Sequence, residues 1–324
     1  MRAIRVAATG GPEVLGLAEA PVPEPGPGQL LVQVAAAGVN FIDTYFRGGM
    51  YPRPLPFTSG SEFGGVVTAV GEGVEGFSAG DKVAGVDSLT GSYAEFTLVA
   101  ADRAVRVPDG VEAETAAAAL LQGLTAHYLT RSTWPVKPGD AALVHAAAGG
   151  MGLLLTQWIK ALGGRVIGTV STAEKEASAR AAGADEVIRY TRVDDLAGAV
   201  RAANGGRGVD VVYDGVGATT FEASLASLRH RGLLALYGAA SGPVPPFDLQ
   251  RLNGAGSLFV TRPTLAHHVE TPAELAWRAG ELFEAIKSGT LRVTVGERYP
   301  LAEAAAAHTA LESRATIGKV LLIP

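Results

Sequence analysis

The chain has 324 residues, 48% of them hydrophobic, with a formal net charge of −5, which is enough for two domains, each with its own core. The acidic balance and the lack of any basic block exclude nucleic acid as the main partner, and no apolar run reaches the ~20 residues that a membrane-spanning helix requires. With no cysteine, disulfides, thiol catalysis and every cysteine-containing zinc site are excluded too.

Met1-Arg-Ala-Ile-Arg-Val alternates from the first residues and carries no signal-peptide core, so a cytoplasmic protein is expected. Gly10-Gly-Pro is a turn and Val14-Leu-Gly-Leu another short strand. Pro21 to Gly28 is a rigid connector that restricts φ at several positions. Gln29 to Val39 alternates as a strand and stops at Asn40, and Gly60 to Gly71 and Asp81 to Val86 are strands punctuated by glycine. Many short strands divided by Gly and Pro predict a distorted barrel over residues 1 to about 120. Helical content starts at Glu112 and runs through an Ala-rich stretch to about Leu121.

Asp140-Ala-Ala-Leu-Val-His is a short apolar run that suits a buried parallel strand. Downstream, Leu153, Leu154, Trp158, Ile159 and Leu162 recur at helical spacing until Gly163-Gly164. The turn between them reads Ala147-x-Gly149-x-x-Gly152, a variant of the dinucleotide fingerprint. Small residues there let the backbone approach a pyrophosphate, and the helix N-terminus offers N–H donors. On its own the string is weak, and a tight structural turn is the competing reading. Three more strands strengthen the dinucleotide reading. They are Arg165 to Val170, Val209 to Asp214 ending in Gly215-Val-Gly217, and Gly232 to Tyr237 ending in Gly238 and Ala239. Strands alternating with helices predict an α/β Rossmann doubly wound parallel sheet with its ligand at the strand carboxyl ends.

The end of the second strand selects the dinucleotide. It carries Ser171, Thr172 and Lys175 and no acid, with Glu174 read as a solvent-facing residue of the first helical turn. Tyr190, after Glu186 to Arg189, is placed to pack on an adenine or reach a phosphate. The pattern favours NADP over NAD, the competing reading being that Lys175 is an ordinary surface lysine. In the tail, Pro272 to Lys287 is an amphipathic helix with Thr271 as N-cap. Leu291-Arg-Val-Thr-Val is a strand, Leu301 to Glu312 a helix and Lys319 to Ile323 a last strand that returns to the barrel. Gly256 to Arg262 reads as an edge strand able to pair with a second copy, or else as an interior strand.

Gly11-Pro-Glu-Val-Leu15, Gly38-Val-Asn-Phe-Ile-Asp-Thr-Tyr45, Gly60-Ser-Glu62, Gly80-Asp-Lys-Val83, Gly123-Leu-Thr-Ala126, Ala146-Ala-Ala-Gly-Gly-Met-Gly152 and Leu311-Glu-Ser-Arg-Ala-Thr316 span the whole chain. Together they resemble the medium-chain dehydrogenase/reductases, in particular the zinc-free quinone oxidoreductase branch that includes zeta-crystallin. The resemblance implies a GroES-like β-barrel-type catalytic domain from residues 1–122 and 265–324, with a Rossmann domain at 123–264 inserted between them. It also implies a homodimer that reduces quinones with NADPH in the cleft between the domains. Zinc-dependent relatives place Cys where Asn40 stands and His where Ser61 stands. Both positions are altered, the six histidines lack a ligand spacing and no metal is expected.

By the same resemblance Asn40 and Thr125 face the nicotinamide, and Phe41 is a further cofactor contact. Tyr45 lies beside the reacting end, or is a half-buried core aromatic. Tyr128, Gly149, Gly150, Met151, Gly215, Tyr237, Gly238 and Ala239 line the cofactor, and Arg314 reaches it from the tail. Glu62 is read as structural. No residue stands out as a general acid, which leaves solvent to supply the proton. An NADPH-dependent enone or alkenal reductase, and a cofactor-binding protein without activity, stand as alternatives.

Overall fold

The computed structural model describes residues 1–324. They pack as two units, one of residues 1–123, 270–289 and 293–324, the other of residues 124–269 and 290–292. No helix is long and apolar enough to cross a membrane.

The first part of the chain forms β1 (Arg2–Val6), β2 (Leu15–Glu19), β3 (Gln29–Val39), α1 (Phe41–Arg47), β4 (Phe57–Thr58), β5 (Glu62–Val70), β6 (Lys82–Gly85), β7 (Phe96–Ala100), β8 (Val105–Arg106) and α2 (Ala113–Tyr128). The long strand β3 organises this unit, pairing antiparallel with both β5 and β7. Its inward residues Leu30, Val32 and Val34 meet Phe63, Val67, Val83 and Val99 in one buried cluster. Register shifts at Leu31/Val32 and Val34/Ala36 bend the sheet in the way β-bulges do. Helix α2 lies directly on β5, since a Cβ at Gly64 would come 2.0 Å from the Ala113 carbonyl oxygen. The Ala-rich helix runs to Tyr128 rather than ending near Leu121. Gly123 does not break it, because that glycine is the flat spot against which Leu282 packs.

The middle of the chain forms β9 (Ala141–Val144), α3 (Gly150–Ala161), β10 (Arg165–Val170), α4 (Ala173–Ala181), β11 (Glu186–Arg189), α5 (Leu196–Ala203), β12 (Val209–Asp214), α6 (Phe221–Ser227), β13 (Leu228–Leu236), α7 (Gln250–Gly254) and β14 (Phe259–Thr261). The six strands are parallel in the order β11-β10-β9-β12-β13-β14. The chain works outward from β9 to β11, then crosses to β12 and works out the other way. The switch point therefore lies between β9 and β12, where such sheets bind ligands. Strand β14 is an edge, as expected, and exposes Phe259 and Val260.

The tail adds α8 (Pro272–Lys287), β15 (Val295–Pro300), α9 (Ala304–Glu312) and β16 (Lys319–Ile323). Thr271 caps α8 by accepting from the Glu274 N–H at 3.2 Å, and Glu274 reciprocates, completing a capping box. β16 pairs antiparallel with β3 and parallel with β15, so the tail does complete the barrel sheet. The strand expected at residues 291–295 begins only at Val295. Leu291 to Thr294 alternates as a strand would, but the ladder with β16 runs along Val295–Pro300, and pairing outweighs local alternation.

Candidate active site

In the barrel unit, β3 ends at Asn40, which caps α1, and the residues around it form two buried polar networks. The first centres on Glu62, whose side chain is fully buried. One carboxylate oxygen accepts from the Leu121 N–H at 2.6 Å, and the other from Asn40 Nδ2 at 2.9 Å and Lys319 Nζ at 2.6 Å. Lys319 also donates to Asn40 Oδ1 at 2.6 Å, and Asn40 Nδ2 donates to the Gly38 carbonyl. Only glycine fits at position 38, because a Cβ there would lie 2.1 Å from Glu62 Oε2 and 2.7 Å from the Ala117 carbonyl oxygen. The network ties β3, β5, α2 and β16 together, and both charges are paired and hydrogen-bonded, as buried ions must be. No group of three or more His, Asp or Glu side chains is arranged to hold a metal.

The second network starts at Asp43 on α1. Its carboxylate accepts from Ser61 Oγ at 2.7 Å, the Asn40 N–H at 2.9 Å and the Tyr93 hydroxyl at 3.0 Å. Tyr93 also meets His308 Nε2 at 3.1 Å, while Arg47 Nη1 meets His308 Nδ1 at 3.0 Å and pairs with Glu312. An arginine can only donate. Nδ1 is therefore the acceptor, the ring proton sits on Nε2 and is given to Tyr93, and the Tyr93 O–H is left to donate to Asp43. Burial, then the Arg47 charge, press the His308 pKa down to about 3. Burial raises that of Asp43 to about 6 against the opposing pull of its hydrogen bonds and of Lys319.

Phe41, Tyr45 and Tyr51 form an aromatic row beside these networks, with centroids 6.5 Å apart for Phe41 and Tyr45 and 5.5 Å for Tyr45 and Tyr51. Tyr45 itself is mostly buried. Arg314 is exposed, just past α9, with φ at 58°.

In the Rossmann unit, Gly149 caps α3 and Gly150 and Met151 form its first turn. Ala146 leaves β9 in the left-handed region at φ 50°, which turns the chain sharply toward the helix. A Cβ at Gly152 would lie 2.3 Å from the Ala146 carbonyl oxygen and 2.6 Å from Ala147 Cα. Gly152 is thus the glycine that lets helix and strand end touch, and it sets the first turn of α3 directly at the end of β9. Ser171 and Tyr190 follow the paired ends of β10 and β11, and Thr191 Oγ1 donates to the Ser171 carbonyl at 3.1 Å. Thr172 caps α4 by accepting from the Lys175 N–H. The four residues expected around a 2′-phosphate are therefore gathered at neighbouring strand ends. Glu174 is exposed as expected, and Glu176 is occupied by Arg180 and Arg189.

Beyond β12 and β13, Gly215 packs under the Tyr237 ring and against the Gly238 backbone. The Tyr237 N–H donates to the Asp214 carbonyl at 2.9 Å, joining the two strand-end loops. Asp214 holds that turn by accepting from the N–H groups of Val216 and Gly217. His145 links Thr169 and Ser224, and Ser224 donates to Asp214. Burial keeps the His145 pKa low. Ala239 lies in the same loop, and Thr125 is nearly buried on α2. Tyr128 is buried and stacked on His268 at 4.1 Å. The sequence reading passed over Lys319, Asp43, Tyr93 and His308. Lys319 offered one signal, a charge at the head of an otherwise apolar strand, but its partners are 257 and 279 residues away.

Residues 26–109 match the alcohol dehydrogenase GroES-like domain family, and residues 182–322 the zinc-binding dehydrogenase family. The chain is 47% identical to a quinone oxidoreductase of Pseudomonas aeruginosa, covering 99% of both proteins. It is 43% identical to a 2-haloacrylate reductase of a Burkholderia species, covering 97% of this chain and 96% of that one. Among solved structures, a mycobacterial protein complexed with NADPH is 58% identical with a TM-score of 0.97, and each chain is covered in full. On this full-length similarity, the chain belongs to the quinone oxidoreductase branch of the medium-chain dehydrogenase/reductases.

Proposed function

We propose that the protein reduces quinones with NADPH and without a metal. The observation that carries this reading is the ammonium of Lys319, which sits 2.6 Å from both Asn40 Oδ1 and Glu62 Oε2. The side chain that replaces a cysteine ligand here is thus bound to a fixed cation of the protein's own. An ammonium holds these groups in place but has no open coordination position with which to polarise an alcohol or ketone. The acceptor must then take a hydride with little help, as a quinone does. When bound, NADPH supplies that hydride from its dihydronicotinamide ring.

The N–H groups of Gly150 and Met151 hold the pyrophosphate, Gly149 shaping the turn through its own N–H bond to the Ala146 carbonyl, and Ser171, Thr172, Lys175 and Tyr190 receive the 2′-phosphate. Gly215, Tyr237, Gly238 and Ala239 run beside the cofactor, with Tyr128 behind them, and Arg314 reaches it from the tail. Thr125 and Asn40 orient the nicotinamide. Both Asn40 amide hydrogens are already used, so its contribution is the remaining lone pair on Oδ1, which suits a carboxamide N–H. Phe41 and Tyr45 supply the flat apolar surface for the acceptor. The reductase of 2-haloacrylate among the relatives supports a second reading, in which the acceptor is an alkene conjugated to a carbonyl. The exposed, apolar edge β14 supports a homodimer built by pairing of this strand with its copy.

The test is oxidation of NADPH and NADH with 1,4-benzoquinone, 9,10-phenanthrenequinone and a linear enone after exhaustive chelation. Turnover with NADPH and a quinone, unchanged by chelator, is expected. Activity with the enone alone favours the second reading, and loss on chelation refutes the metal-free mechanism. Light scattering of wild type and Phe259→Lys tests the dimer.

A further inference from the structure

Reduction of a quinone to a hydroquinone takes up a hydride and a proton, and the barrel unit contains a buried carboxyl that the reading above leaves without a task. Asp43 is 1% exposed, accepts three hydrogen bonds and touches no cation. The charged and titratable groups around it are Arg47 on its own helix, Glu62 on β5, Tyr93 ahead of β7, His308 on α9 and Lys319 on β16. Of these, Lys319 is committed to Glu62 and Asn40, and Arg47 to Glu312 and His308. The hydrogen bonds from Arg47 through His308 and Tyr93 all point toward Asp43, so the chain delivers donors to it and offers it no acceptor. Among the groups that bond Asp43, Asn40 and Tyr93 are buried, whereas Ser61 is only half-buried. The Ser61 hydroxyl can both accept and donate with only a turn about its C–O bond, whereas the Tyr93 hydroxyl is already held between His308 and Asp43.

We propose that Asp43 and Ser61 form a proton-delivery arm, in which Ser61 gives its hydroxyl proton to the reduced oxygen of the acceptor and is reloaded from the protonated Asp43 carboxyl. The inference rests on the quinone-reductase reading. The acceptor gains the electron pair and hydrogen of the hydride supplied by NADPH, which is oxidised, and the quinone is reduced. The oxyanion that results forms a new O–H bond with the Ser61 proton as the Ser61 O–H bond breaks. Ser61 Oγ takes the Asp43 proton across the 2.7 Å hydrogen bond, and water returns a proton to the carboxylate. Ser61 is the catalytic residue in this scheme, since of the two it is the one that touches the acceptor, and Asp43 acts through it. Burial, which raises the Asp43 pKa to about 6, keeps the carboxyl protonated in mildly acidic solution and leaves only a minor protonated fraction at neutral pH, so the acid works best below about pH 6.

Two measurements test the arm. The first is an infrared pH titration of the cofactor-free protein, which is expected to show a buried carboxylic-acid band that disappears near pH 6 and is missing in Asp43→Asn. The second is the pH profile of kcat/KM with NADPH and 1,4-benzoquinone for wild type, Ser61→Ala and Ser61→Thr, each checked for its fold by circular dichroism. Wild type is expected to lose activity as pH rises through about 6. Ser61→Ala is expected to be slower by about 10- to 100-fold at low pH, the lower end of general-acid effects, with a flat profile. Ser61→Thr, which keeps the hydroxyl, restores the limb. Ser61→Ala with the wild-type rate and profile overturns the arm and leaves quinone reduction standing, as does the absence of a titrating carboxyl. No NADPH oxidation by wild type with any quinone overturns the quinone reading, and the arm with it.

Discussion

Replacing Lys319 by methionine removes the only cation in contact with a carboxylate that has no access to water. Lys319 Nζ and Glu62 Oε2 are 2.6 Å apart, with side chains 1% and 0% exposed. At an effective dielectric of about 20, Coulomb's law puts their attraction at about 6 kcal/mol. Part of this survives in Lys319→Met as the Asn40 and Leu121 hydrogen bonds to Glu62. The expected loss is therefore about 3–5 kcal/mol, the range seen when one member of a buried pair is removed. For a unit of this size that lowers the melting temperature by roughly 6–20 °C. Glu62→Gln should cost a comparable amount, because it strands the ammonium beside Asn40. The double variant removes both charges and is expected to be more stable than either single one, with a coupling of about 2–3 kcal/mol. Thermal unfolding followed by circular dichroism at pH 7.5 reads all four proteins. A Lys319→Met melting temperature within 2 °C or so of wild type, or strictly additive losses in the double variant, would refute the reasoning.

Gly152→Ala places a methyl group against the backbone of Ala146 and Ala147. It should cost about 1–3 kcal/mol and weaken NADPH binding by fluorescence titration, and unchanged affinity would show that the loop tolerates a wider gap. Lys175→Ala keeps the Thr172 cap, which uses the backbone N–H. It is expected to raise the NADPH dissociation constant about 10-fold or more, as suits a lost charge-assisted bond, and to leave NADH untouched. An equal effect on both cofactors would sink the 2′-phosphate assignment. His308 and Asp43 oppose one another in acid. The lowered His308 pKa contributes stability that is full above the unfolded value near 6.5 and lost as pH falls toward 3. The raised Asp43 pKa contributes stability that is full below 3.8 and lost as pH rises toward 6. Between about pH 4 and 6 the two slopes cancel. Relative to wild type, Asp43→Asn should therefore lose about 1.4 kcal/mol for each pH step downward in that window, and His308→Gln about the same for each step upward. Parallel slopes for the two variants in urea titrations would contradict the buried network.

What was legible in the chain was whatever depends on near neighbours. The fingerprint around Gly149 and Gly152, the strand ends at Ser171 and Gly215 and the Thr271 cap each join residues a few positions apart, where steric limits and hydrogen-bond reach act within one turn. The absence of cysteine alone disposed of the usual zinc ligands. Local alternation failed where pairing decides, as at Leu291 to Thr294, and the helix expected to end near Leu121 runs on to Tyr128 through Gly123, which packs against Leu282. The polar centre of the barrel unit belonged to the tertiary structure entirely. Lys319 reads as one charge on an apolar strand until β16 lies against β3 and sets its ammonium between Asn40 and Glu62. Asp43 is one acid of a motif string until Ser61 and Tyr93 close on it, with His308 behind Tyr93, from three other segments. Burial and charge pairing arise from segments that are distant in sequence, and those two quantities fix which groups are ionised and which can give up a proton.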